Sequence, residues 1–251
     1  MSDEQSLRQA VLDDPDDDAA RLAYADWCAN QADPVTQARA ELIRAQMTLA
    51  GAPTSGVIGL IDTIEKLLAA HGAAWAAPIA PFVRSYQFLR GFVEHVEISA
   101  RALLDHGAEL FALAPIRHVD LFAVREVDEE LFASPLFAKL RSLGLDRLGL
   151  YDIHLQLLAA SPHVGELRWL SGVGNNFGFD AYVALAQSTS LTKLAVAGFG
   201  QNPVDPVEQL HYDGAVVVAV EMPAAGQALE QRFGRLEWLH SENKRVGRYT
   251  S

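Results

Sequence analysis

One cysteine, Cys28, occurs in the 251 residues, so no intrachain disulfide and no cysteine-based zinc site can form, which fits a reducing compartment. Basic residues are also scarce: 20 Lys and Arg stand against 32 Asp and Glu, for a net charge of −12. That balance argues against nucleic acid, whose phosphates need a Lys/Arg surface, and favours neutral or basic partners. No apolar run approaches the ~20 residues that a membrane span requires. The opening MSDEQSLRQAVLDDPDDD has acids where a secretory leader has bases followed by an apolar stretch. The expectation is a cytoplasmic protein that engages neither membrane nor nucleic acid.

Catalytic signatures are missing as well. There is no GxSxG elbow, no phosphate-binding P-loop and no HExxH pair, and Gly198 and Gly200 in AGFGQN lack the third glycine of a dinucleotide fingerprint. No cofactor is expected.

What the chain does have is 50% hydrophobic residues, enough to build a core. In the first ~75 residues they recur at helical spacing in four segments. Leu7, Val11 and Leu12 mark the first, which Asp13, Asp14 and Pro15 end. Asp16 or Asp17 caps a second, whose core face draws on Leu22, Tyr24, Ala25 and Trp27. Pro34 opens a third with Ala38, Leu42, Ala45 and Leu49, and a fourth runs from about Gly59 to His71 before a stop at Gly72. Residues 1–80 therefore read as an all-helical cap domain. Tyr24 and Trp27 read as core anchors, Cys28 as a small buried apolar residue, and the acids from Asp13 to Asp18 as helix caps and solubilising charge.

After Pro81 a second pattern begins: an apolar residue, two variable positions, an apolar residue, one variable position and another apolar residue. It occurs at Val93, Val96 and Ile98; Ile116, Val119 and Leu121; Leu140, Leu143 and Leu145; Val164, Leu167 and Trp169; and Leu191, Leu194 and Val196. Successive first anchors are 23, 24, 24 and 27 residues apart, and a spacing of ~20–29 is that of a leucine-rich repeat. The expected fold is α/β: a leucine-rich-repeat solenoid over residues 81–251, with a strand and a helix in each of about five to six repeats. Val216 to Val220 reads as a buried strand, Ala224 to Phe233 as a helix and Arg235 to Leu239 as a last strand, together an irregular closing cap. Asn175 falls where such a template places its turn asparagine. The tail ENKRVGRYTS reads as polar and loose.

In that register the outward strand positions form columns on a concave face. The first is His95, His118, Ser142, Glu166 and Lys193; the second Glu97, Asp120, Gly144, Arg168 and Ala195; the third Ser99, Phe122, Asp146, Leu170 and Ala197. From these, His95, Glu97, His118, Asp120, Phe122, Asp146, Glu166, Arg168 and Lys193 are the expected partner-binding residues. His95 with Glu97 and His118 with Asp120 repeat one arrangement on neighbouring strands, so a metal or acid/base site is conceivable; a solvated polar face with cross-strand pairs explains the same residues.

Residues 7–46, LRQAVLDDPDDDAARLAYADWCANQADPVTQARAELIRAQ, resemble the bacterial repeat-companion domain, a short module found ahead of leucine-rich repeats. The likeness rests on the acidic DDPDDD, the R-L-x-Y-A-D-W motif, a D-P turn and a helix like ELIRAQ. HGAAWAAPI at 71–79, LRGFVEHVEI at 89–98, SPHV at 161–164 and ALEQRFGRLEWL at 228–239 are similar to segments of such proteins. Cys28 stands where a leucine is usual, and VTQARAE where a glycine-containing stretch is common. The resemblance implies a repeat scaffold with no catalytic residues to carry over.

The leading functional expectation is a non-enzymatic scaffold that takes a protein or peptide partner on the concave strand face. Two others remain: a metal-dependent or acid/base enzyme using the His/carboxylate ladder, and a regulatory or assembly subunit acting through the helical cap.

Overall fold

The computed structural model describes residues 3–51, 57–124, 128–213 and 216–240; the expected loose tail at 242–251 lies outside them. The chain divides into two compact units. The first takes the chain up to Val96 together with His106–Ile116, and the second takes Glu97–Asp105 and the chain from Arg117.

The first unit contains four helices, α1 (Asp3–Asp13), α2 (Asp18–Ala29), α3 (Pro34–Gly51) and α4 (Ile58–Ala76). Asp17 caps α2 by accepting from the Ala19 amide at 2.8 Å. Asp33 does the same for α3, accepting from the Thr36 amide at 2.9 Å ahead of a proline in the first helical position. α4 continues past Gly72, which sits buried inside it rather than stopping it. Val11, Tyr24, Ala25, Cys28, Ala40, Ile43 and Phe92 form one buried cluster, with Trp27 packed against it. Leu22, expected in that core, is 41% exposed; the buried place on α2 belongs to Arg21.

Strands β1 (Ser85–Leu89) and β2 (Phe92–Ser99) follow, joined by two residues that both have positive φ, Arg90 at 47° and Gly91 at 86°. Such a turn matches the twist of a tight hairpin. Glycine is required at the second position, because a Cβ there would overlap Ile43 of α3. Gln46 of α3 clamps the same turn, accepting from the Gly91 amide and donating to the Phe88 carbonyl, each at 2.7 Å.

Arg21 and Glu94 are the deepest charges in this unit, exposed by 0% and 1%, with 2.9 Å between guanidinium and carboxylate. Arg21 also donates to the Pro15 carbonyl, at 2.6 and 3.1 Å, and to the Arg90 carbonyl at 3.1 Å. Burial lowers its pKa to about 10, against the pull of Glu94. One side chain thus ties the loop before α2, the turn before β2 and β2 itself.

Helix α5 (Ala100–Leu113) leads to β3 (His118–Phe122), α6 (Asp128–Phe132) and a 3-10 turn at Pro135–Lys139. Then come β4 (Ser142–Gly144), α7 (Asp152–Ala160), β5 (Trp169–Ser171), α8 (Phe179–Gln187) and β6 (Val196–Gly198). Strands β3 to β6 pair in parallel, with Val119, Leu143, Leu170 and Ala197 in register. All four are buried, and Leu155 and Leu158 of α7 and Tyr182 and Leu185 of α8 are buried with them. The described residues end with an antiparallel pair, β7 (Gln209–Asp213) and β8 (Val216–Glu221), then α9 (Ala224–Phe233) and a 3-10 turn at Glu237–Leu239 in place of the expected last strand at Arg235 to Leu239.

The architecture is mixed α/β, with a six-stranded, mostly parallel sheet and, among the described residues, nine α-helices. This overturns the regular solenoid. Two strands, β1 and β2, precede any connecting helix, and the later connections range from the fourteen residues of α5 to the five-residue α6 plus a 3-10 turn. The last two strands form a separate antiparallel sheet. The apolar template also slips: Leu167 and Leu194 close turns onto the carbonyls of Val164 and Leu191, so the next inward residues are Leu170 and Ala197 instead of Trp169 and Val196. No helix among the described residues is long and apolar enough to cross a membrane.

Asn175, 5% exposed, stitches the turn after β5. Its oxygen accepts from the Leu148 and Leu150 amides, both at 3.0 Å, and its nitrogen donates to the Leu145 and Gly172 carbonyls at 2.7 and 3.0 Å. Asn202 repeats the role, donating to the Gly172 and Phe199 carbonyls and accepting from the Phe177 amide.

Two stability tests follow from these contacts. Arg21→Met, which takes from the Glu94 carboxylate its fully buried partner and leaves it Arg90 at 3.1 Å, should cost about 3 kcal/mol in urea unfolding read by tryptophan fluorescence, and adding Glu94→Gln should restore part of that; a loss under about 1 kcal/mol for the single variant contradicts the role given to the pair. Asn175→Ala leaves buried backbone groups without partners and should cost about 2–4 kcal/mol, whereas a neutral result would mean that these bonds are readily replaced by water.

Candidate functional site

The expected binding residues fall into two groups. His95 and His118 are 6% and 5% exposed, so they are buried side chains rather than members of a solvated face. Glu97, Asp120 and Phe122 are half-buried on their strands. Among the described residues no group of three or more His, Cys, Asp or Glu side chains is placed to hold a metal ion. The His/carboxylate ladder is therefore not assembled as a ligand set.

Asp146, Glu166, Arg168 and Lys193 are reached by solvent, but not as outward strand residues. β5 starts at Trp169 and β6 at Val196, so Glu166, Arg168 and Lys193 occupy the turns that feed the strands. The columns shift accordingly: Ser142 is opposite Trp169 and then Val196, and Gly144 is opposite Ser171 and then Gly198. Glu166 and Lys193, assigned to one column, do meet, at 2.6 Å. That hydrogen bond lowers the Glu166 pKa. Asp146 is committed to structure, accepting from the Ser171 hydroxyl at 2.6 Å and the Val173 amide at 2.8 Å.

Arg168 belongs to a row that the sequence register concealed. The Arg117 carbonyl accepts from the amides of Arg141 and Ser142, the Arg141 carbonyl from those of Arg168 and Trp169, and the Arg168 carbonyl from those of Ala195 and Val196. Arginines thus stand at equivalent positions at the entries to three successive strands.

The largest departure from expectation is β8. Val216 to Val220 reads in the sequence as a buried strand, yet every residue of β8 is exposed, with Val216 at 65%, Val218 at 61% and Val220 at 53%. Its partner β7 is mostly polar and adds an exposed Tyr212 at 60%. Opposite His211 lies Ala219 and opposite Tyr212 lies Val217, so Val218 bulges between them. His211 and Glu221 face each other at 3.2 Å across the pair. An apolar run burying nothing is unusual, because two strands alone are marginal in water. The sequence signal was present: QLHYD, which pairs with VVVAV in the same sheet, is mostly polar and offers it no apolar cover.

No family model and no curated protein matches the chain.

The Glu166–Lys193 contact gives a direct titration test. Lys193→Met should raise the Glu166 carboxyl midpoint, followed by carbon NMR, back toward the ordinary carboxylate range, while stability changes by less than about 1 kcal/mol because exposed pairs contribute little. An unmoved midpoint would mean that the pair does not persist in solution.

Proposed function

We propose that the protein is a non-enzymatic interaction module that takes an extended segment of a partner protein on the β7–β8 pair. The observation that carries this reading is the exposure of Val216, Val218 and Val220 on a strand whose sheet has, among the described residues, only one other member. A two-stranded sheet leaves one edge of each strand with its N–H and C=O groups unpaired, and a third strand satisfies those groups while covering apolar side chains. Net charge selects among such segments: a chain at −12 favours neutral or basic ones. Of the residues expected to bind a partner, Arg168 is reached by solvent, Asp146 and Lys193 are engaged with Ser171 and Glu166, and His95 and His118 are buried.

The likeness of residues 7–46 to the repeat-companion module belongs to the same reading. Its four motifs fall on the loop before α2, on α2, on the α2–α3 turn and on α3. A reducing, cytoplasmic setting suits the single cysteine, which is buried.

The test uses the full chain as bait in an extract of its host. The captured protein should protect the amides of Val216–Val220 from hydrogen exchange, and the double variant Val216→Asp, Val218→Asp should lose it. Both sites are on the surface, so thermal unfolding should change by no more than about 1 kcal/mol. Equal capture by the double variant would contradict the proposal.

A further inference from the structure

Within the first unit lies a cavity of about 210 Å³ whose lining includes Arg8, Thr36, Arg39, Tyr24, Trp75 and Phe92. Arg39 is its unusual member. The guanidinium lies over three rings, 5.1 Å from the centres of Trp75 and Phe92 and 5.2 Å from that of Phe88. Its Nε is shielded from solvent and has no hydrogen-bond partner. Among the described residues no carboxylate pairs with it; Glu4, which also lines the cavity, is exposed and bonded to neither arginine.

Arg21, in the same unit, shows what a buried guanidinium ordinarily requires: a carboxylate at 2.9 Å and two backbone carbonyls. Arg39 has rings instead. Burial lowers its pKa to about 10, with Tyr24 and Cys28 opposing the shift and Arg8 adding to it, so it stays cationic at neutral pH. Arg39 is half-buried; ring faces attract a cation but do not neutralise it, so a partly desolvated charge is left without a counter-charge.

We infer that this cavity binds a small organic carboxylate with an apolar body, its two oxygens on the Arg39 guanidinium and its body against Tyr24, Trp75 and Phe92. The planar fork of a guanidinium matches a carboxylate. A phosphate would need several more donors; the Thr36 hydroxyl is already given to Asp33 at 2.7 Å, and Arg8 is drawn to the Leu113 carbonyl at 2.7 Å. The size also fits, since a cavity of ~150 Å³ holds benzene.

Benzoate is the probe, titrated into the full chain by calorimetry and by the fluorescence of Trp75. Saturable binding is expected, with benzamide and inorganic phosphate at least about tenfold weaker because they lack the charge or the apolar body. Arg39→Met should weaken benzoate by about tenfold or more while leaving the unfolding temperature unchanged or raised, since it removes an uncompensated charge. Arg39→Lys keeps the charge without the fork and should fall between; if Arg39→Met does not fold, weakened benzoate binding by folded Arg39→Lys supports the site and unchanged binding overturns it. Absence of saturable benzoate binding, phosphate binding as tightly as benzoate, or equal affinity in folded Arg39→Met each overturns it.

Discussion

A guanidinium that water cannot reach must find negative charge and acceptors inside the protein, and in the first unit Arg21 finds them in Glu94, Pro15 and Arg90. Three stretches of chain meet at that side chain. Once α2 is fixed against β2, the Tyr24 and Phe92 rings pack at a tilt with centres 5.5 Å apart and the cluster around Ala25, Cys28 and Ile43 closes. The sharp turn at Arg90–Gly91 follows from the same demand, because the Arg90 carbonyl must face Arg21 while Gly91 leaves room for Ile43. The cost of burying two charges is offset by their ion pair and by the three hydrogen bonds from Arg21 to backbone carbonyls, and that geometry selects one docking of helix on strand.

The second unit relies on backbone pairing more than on charge. Parallel strands only three residues long leave most of their turns to be held by other means. Asn175 and Asn202 do so by bonding amides and carbonyls of successive turns. The β7–β8 pair stands apart from this logic, with apolar side chains and strand edges presented outward, and that is why an external segment is the partner proposed for it.

Much of the helical unit was legible in the sequence because its signals are local: an acid before an apolar stripe, a proline at a first turn, a spacing of three and four. Arg21 was not, since nothing local distinguishes a basic residue bound for the core from one bound for solvent; Glu94 is 73 residues away. In the sheet, the inward anchors Val119, Leu143 and Leu145 were read correctly from spacing, but Leu167 and Leu194 enter turns first, and that shift moved Trp169 and Val196 outward. Solvent-facing histidines failed for a related reason: alternation places a residue on one side of a strand without saying whether that side is covered. Burial was inferred for β8 from its apolar residues alone, although burial also needs a covering element, which QLHYD could not be. Arg39 went unread because its surroundings, Trp75, Phe88 and Phe92, converge from α4, β1 and β2.

Two arginines of the first unit state the account's central claim: buried Arg21 is neutralised from within, and half-buried Arg39 is left for a carboxylate from outside. A crystal structure of the full chain grown with benzoate tests it most directly. The account predicts the benzoate carboxylate within hydrogen-bond distance of the Arg39 guanidinium, with Arg21 still on Glu94. A structure in which Arg39 instead pairs with Glu4 and the cavity excludes benzoate would contradict it.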